Sequence, residues 1–170
     1  MSILKILTYP DPVLKKKAKP VEMINVRIKN LVEDMLETMY AAPGIGLAAP
    51  QVGESLRVIT VDVTRKEEGL IVLINPEIIS GEGECTEEEG CLSVPDLKAI
   101  VQRKEKVLVK GLDLEGRKIQ IPAEGLLAIA FQHEIDHLDG ILIIDRVSRL
   151  KRDIFKKKLS KKRRNGILQK

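Results

Sequence analysis

Only two histidines occur in the chain, and both fall in one stretch, Phe131-Gln132-His133-Glu134-Ile135-Asp136-His137-Leu138-Asp139-Gly140. The pattern is His-Glu-x-x-His. On a helix, residues four apart share a face, so His133 and His137 can offer two imidazole nitrogens to one metal ion. Glu134 stands beside them, placed to exchange a proton with water activated by such an ion. Pro122 suits a helix start, residues 126–138 are largely apolar, and Gly140 is a good stop. Leu126, Leu127, Ile129, Phe131, Ile135 and Leu138 point around most of the circumference, which predicts a helix buried on nearly all sides. The bland alternative, a core helix that happens to carry two histidines, does not account for the interposed Glu.

The rest of the chain must supply a shell for that helix. At 170 residues it reads as one domain, and with 2% aromatic residues its core must be built from Ile, Leu, Val, Ala and Met. No apolar run of about 18 residues could span a bilayer. The start, Met1-Ser2-Ile3-Leu4-Lys5, has neither a signal-peptide nor a transit-peptide pattern, so a cytoplasmic protein is expected. Cys85 and Cys91 are read as thiols in that reducing setting. Charge is unevenly spread: from Ser148 onward there are eleven Lys/Arg and one acid, against 18 and 24 in the preceding 147 residues. A basic tail on an acidic body points to a polyanionic partner, with a merely solvated helix as the alternative.

Read in order, residues 1–20 form an extended arm. Residues 25–42 show helical spacing in Ile28, Leu31, Val32, Met35, Leu36, Met39 and Tyr40, with Asn25 as N-cap and Pro43-Gly44 as terminator. Residues 56–63, 70–75, 98–101, 106–112 and 117–121 read as strands, with a hairpin turn at 113–116. Residues 81–93, rich in Gly and Glu, read as a loop tightening toward Cys91; residues 141–144 read as a short strand and 148–164 as a helix. The expected fold class is α+β, with antiparallel or mixed sheets packed around a central buried helix, an N-terminal amphipathic helix and a C-terminal basic helix. Residues 1–147 would form the catalytic part and 148–170 a basic helix or tail of the same domain.

A catalytic site of this type needs three protein ligands and one open position. After His137 the sequence holds no further His, and after Glu134 no further Glu. Of the downstream carboxylates, Asp136 points away from the ligand face and nothing favours Asp139, Asp145 or Asp153, so the third ligand is expected upstream. A thiolate from Cys91 or Cys85 can fill the place. Cys91 is favoured because it leads into strand-like sequence, which holds a ligand rigidly.

Three segments, Gly44-Ile45-Gly46-Leu47-Ala48-Ala49-Pro50-Gln51, Glu89-Gly90-Cys91-Leu92-Ser93 and Gln132-His133-Glu134-Ile135-Asp136-His137, resemble the signature motifs of the peptide deformylases in order and spacing. The resemblance runs from the Tyr-Pro-Asp-Pro stretch to about residue 147. It implies that Cys91, His133 and His137 hold one divalent ion, natively iron(II), with zinc, nickel or cobalt able to replace it. It further implies that Glu134 moves the proton and that the Gln51 amide and the Leu92 N–H stabilise an oxyanion. Ile45, Gly46 and Gly90 would pair with the substrate backbone, and Leu126, Ile129 and His133 would line a methionine pocket. The implied activity is removal of the formyl group from formyl-methionyl nascent chains, with a ribosome contact through the basic tail and no membrane or DNA partner. A metallopeptidase and an RNA- or ribosome-binding module are the rival readings. Glu87, Lys98 and Ala130 depart from the family pattern near the pocket.

Overall fold

The computed structural model describes residues 2–166. Seven strands form: β1 (Gly46–Ala48), β2 (Val58–Val61), β3 (Ile71–Glu82), β4 (Cys85–Cys91), β5 (Val94–Arg103), β6 (Lys106–Leu112) and β7 (Lys118–Glu124). They divide into a five-stranded sheet of order β1-β2-β3-β6-β7 and a two-stranded ribbon, β4-β5. Every strand pairing is antiparallel. Helices α1 (Val26–Ala41), α2 (Gly125–Leu138) and α3 (Arg149–Arg164) complete the α+β architecture. Among the described residues, no helix is long and apolar enough to cross a membrane.

The period-two geometry of strands explains where the helices sit. On β2 and β3, Ile59, Val61 and Leu73 face one side and pack with Ala128, Phe131, Ile135 and Leu138 of α2. Val58 and Ile74 face the other side and pack with Ile28, Val32, Met35 and Met39 of α1. The middle of the sheet is therefore covered twice, which is why β2 is buried at all four positions. The α1 start is fixed as the sequence indicates: the Asn25 side chain accepts a hydrogen bond from the Ile28 N–H. The ribbon closes a third cluster, in which Val94, Leu97, Ala99 and Val101 pack on Leu14, Leu142, Ile143 and Ile144.

Four local expectations need correction. Residues 85–91 form strand β4 rather than loop, because a two-stranded ribbon tolerates charge along its solvent face and the inward Glu89 is neutralised by an ion pair. Pro122 ends in β7, and α2 begins at Gly125, whose φ of +62° makes the strand-to-helix turn. The stretch expected as strand at 141–144 instead leads into a 3-10 turn, Ile143–Arg146, whose Ile143 and Ile144 side chains pack on β5 without joining its ladder. Leu126 is 53% exposed, so the first turn of α2 looks out of the core while the rest is enclosed. Gly140 does stop that helix. Its φ is +73°, and a Cβ there would lie 2.5 Å from the Lys15 carbonyl oxygen, so no other residue fits without backbone movement.

Candidate metal centre

The site forms where the ribbon meets α2. Cys91 is the last residue of β4, and Val94 is its partner across a tight turn, so Leu92 and Ser93 are the turn residues. His133 and His137 come from successive turns of α2. The three side chains offer one ligand atom each, and those atoms lie within 4.8 Å of one another. Cys91 Sγ and His137 Nε2 are 3.4 Å apart. A tetrahedral ion with bonds of ~2.0–2.3 Å would place such atoms roughly 3.3–3.6 Å apart, so the donor set fits a single cation. Cys85 lies six residues away on the same strand, with its sulfur against the Lys104 carbonyl.

Electrostatics favour positive charge at this point. Burial alone would make His133 less basic, but Cys91, Glu134 and Glu89 outweigh it and raise its proton affinity well above the ordinary value. Burial lowers that of His137, with His133 and Arg103 adding to the effect. Glu89 Oε1 lies 3.0 Å from His133 Nδ1; an ionised carboxylate only accepts, so Nδ1 donates and Nε2 is the nitrogen left to face a cation, which would displace its proton. Glu134 is 4% exposed, and its Oε1 is buried with no hydrogen-bond partner. Burial pushes its carboxyl up to about 7, the range in which a carboxylate exchanges protons at neutral pH. The Gly46 backbone passes so close that a Cβ there would lie 2.5 Å from Glu134 Oε2.

A cleft of about 400 Å³ opens onto these groups. Ile45, Gly46, Gln51, Gly90, Cys91, Leu92, Leu126, Ile129, His133 and Glu134 all line it, as do Lys98 and Ala130. His137 stands behind this wall, 1% exposed, and Glu87 faces a neighbouring depression instead. Gln51 is held by both ends: Oε1 accepts from the Ala48 N–H at 2.9 Å, and Nε2 donates to Ser93 Oγ at 3.0 Å, 3.9 Å from Cys91 Sγ. That fixes its N–H group toward the sulfur side of the cleft.

The family model for polypeptide deformylase matches residues 3–153. The chain belongs to that family. A peptide deformylase from Thermodesulfovibrio yellowstonii is 58% identical over 165 residues, spanning 96% of this chain and 100% of the relative. The crystal structure of a peptide deformylase from Legionella pneumophila superposes with a TM-score of 0.92 at 48% identity, covering 99% of this chain and 100% of that one. A peptide deformylase from Ehrlichia chaffeensis, solved in complex with actinonin, gives 0.88 at 40% identity over 95% of this chain and 98% of that one.

Reading the sequence alone left one part of this deformylase site unassigned. Arg103 is 5% exposed and donates through Nε and Nη2 to Glu89 at 2.9 and 2.8 Å. The signal lies in β5, where Val94, Leu97, Ala99, Val101 and Arg103 are the buried positions. An arginine ending an inward apolar series requires a buried partner. Burial would raise the Glu89 carboxyl, but the Arg103 hydrogen bonds, His133 and their charges hold it down at about 2. Glu89 thus contributes stability above its ordinary 4.5 that is lost as pH falls toward about 2. Arg103→Met is expected to cost about 3–5 kcal/mol by stranding a buried carboxylate. Urea unfolding checks this, and the acid-unfolding midpoint should move to higher pH; unchanged curves would mean that the pair is incidental.

Proposed function

We propose that this chain is a metal-dependent hydrolase that removes the N-formyl group from the initiator methionine of nascent polypeptides and releases formate. One observation carries the reading: a buried, unpartnered Glu134 carboxyl oxygen beside a one-sulfur, two-nitrogen donor set, in a cleft of about 400 Å³. Cys91, His133 and His137 would hold the ion, iron(II) natively, with zinc, nickel or cobalt able to stand in. Such an ion polarises a carbonyl and makes water a nucleophile near neutral pH.

The remaining work falls to the chain. Glu134 takes a proton from the attacking water as the water oxygen bonds to the formyl carbon. It then returns that proton to the departing amine as the carbon–nitrogen bond breaks. Gln51 Nε2 and the Leu92 N–H donate to the formyl oxygen as it gains charge, an interaction worth ~3–4 kcal/mol per donor in comparable sites. β1 is an edge of the large sheet and β4 an edge of the ribbon, which leaves the Ile45–Gly46 backbone and Gly90 able to pair with an extended peptide between them. Leu126, Ile129 and His133 then receive the methionine side chain, and the closeness of Gly46 to Glu134 excludes any larger residue there.

Formate release from formyl-Met-Ala-Ser, measured with the metal content of the same sample, tests this. Formate should appear in proportion to bound metal and stop on chelation. Cleavage of the Met–Ala bond without formate would mark a peptidase instead.

The cytosol, where formylated chains emerge, is the compartment this reading requires. Residues 148–170 are assigned to ribosome docking: α3 has no buried residue, and Lys or Arg occupies ten of its sixteen positions. Ending the chain after Val147 is expected to weaken ribosome co-sedimentation, most clearly at low salt where the basic tail contributes most, while turnover of a free formyl peptide persists. Unchanged co-sedimentation would remove the assignment.

A further inference from the structure

The charge network behind His133 does not end at Arg103. Arg103 Nη1 donates to Asp136 Oδ2 at 2.6 Å. A second guanidinium reaches the same carboxylate from outside, Arg146 Nε on Oδ2 and Nη2 on Oδ1, both at 2.6 Å. From the site outward the groups run Glu89, Arg103, Asp136, Arg146, alternating in sign. Their side chains are 6%, 3%, 14% and 38% exposed.

The members sit on different elements. Glu89 and Arg103 belong to the ribbon that carries Cys91. Asp136 belongs to α2, which carries both histidines, and Arg146 ends the 3-10 turn that follows. The three ligand atoms therefore come from two separate bodies, and this chain of charged groups spans them, beside the paired hydrogen bonds between the Gln132 side chain and the Lys104 backbone. Nothing else in the motif gives Asp136 a task, since it projects away from the ligand face of α2.

We propose that Asp136 and Arg146 are positioning residues for the metal centre. Resting on the metal reading above, the argument concerns charge balance. Two carboxylates face two guanidiniums, and Asp136 divides its acceptor capacity between them. Without Arg146, the undivided pull of Asp136 draws Arg103 outward and away from Glu89. With an amide at 136, Arg103 loses the charge of its outer anchor and keeps at most a neutral acceptor. Either change loosens Glu89, which fixes the ring of His133 through Nδ1, and lets the ribbon drift from α2.

The test uses the full chain loaded with cobalt(II), comparing wild type with Asp136→Asn, Arg146→Met and Arg146→Lys. Two quantities are read: the rate of metal release to excess chelator and the visible cobalt spectrum. Asp136→Asn should release metal about tenfold or more faster, in line with the ~10–100-fold typical of partners that orient a ligand. Arg146→Met should do so several-fold and Arg146→Lys less, because an ammonium cannot form the fork. The spectrum should change with the first two. Wild-type release rates and an unaltered spectrum, even with a lowered Tm, would overturn the proposal. Should Asp136→Asn fail to fold, the half-exposed Arg146→Met decides alone. A wild-type protein that takes up no cobalt would instead refute the metal reading itself.

Discussion

Glu134→Gln is expected to leave the metal content of the protein unchanged and to lower kcat by at least ~10²–10⁴-fold, the range general acid–base transfer supplies. Glutamine keeps the shape of the side chain and its place against Gly46, so the cleft and the ligand set should survive. What it cannot do is take a proton. The buried Oε1 has no partner among the described residues, and the carboxyl sits at about 7, so the group is held in readiness rather than tied into the fold. A buried carboxyl that is partly ionised at neutral pH costs stability that a neutral amide does not, and the variant should therefore unfold at a slightly higher temperature than wild type. Parallel formate-release and melting curves would show both effects. Retained turnover would remove Glu134 from the proton path, and a lost metal would mean that the residue supports the site rather than the reaction.

The second large effect is a contrast between thiols. Cys91→Ser should abolish near-stoichiometric metal binding and activity together, because a hydroxyl is not ionised at neutral pH and replaces a soft anionic donor with a hard neutral one. Cys85→Ser should change neither. Its sulfur lies 4.0 Å from the Lys104 carbonyl oxygen, on a strand position outside the donor cluster. Elemental analysis of the two variants beside wild type measures the difference. Equal metal in all three would show that the sulfur is not a ligand, and a reversal would assign the role to Cys85.

The parts of this architecture that were legible in advance are those in which one local rule decides. The spacing of Ile28, Val32, Met35 and Met39 specifies α1, and Asn25 caps it as its side chain allows. The two histidines of α2 meet because a helix turns as it does, and the position of Cys91 beside them follows from the family motif. The misread parts depend on partners far away in sequence. β4 looks like a loop until β5 is laid against it, for its glutamates are tolerable only on a ribbon with one solvent face. Pro122 resembles a helix start, yet β6 pairs through it and continues β7 to Glu124. Residues 141–144 have strand-like composition but do not pair with a strand; the chain turns over Ile143–Arg146 instead and places Arg146 on Asp136. Arg103 belongs in the same class: burial of a guanidinium becomes interpretable only with Glu89 and Asp136 both in view.

The central claim is that one sulfur and two imidazoles hold a single ion at the junction of ribbon and helix. X-ray absorption at the metal edge of the purified, active protein tests it most directly. One sulfur scatterer at ~2.3 Å and two imidazole nitrogens at ~2.0–2.1 Å, with the sulfur shell gone in any metal retained by Cys91→Ser, is the expected result. A first shell of nitrogen and oxygen alone in the active wild-type enzyme would contradict it.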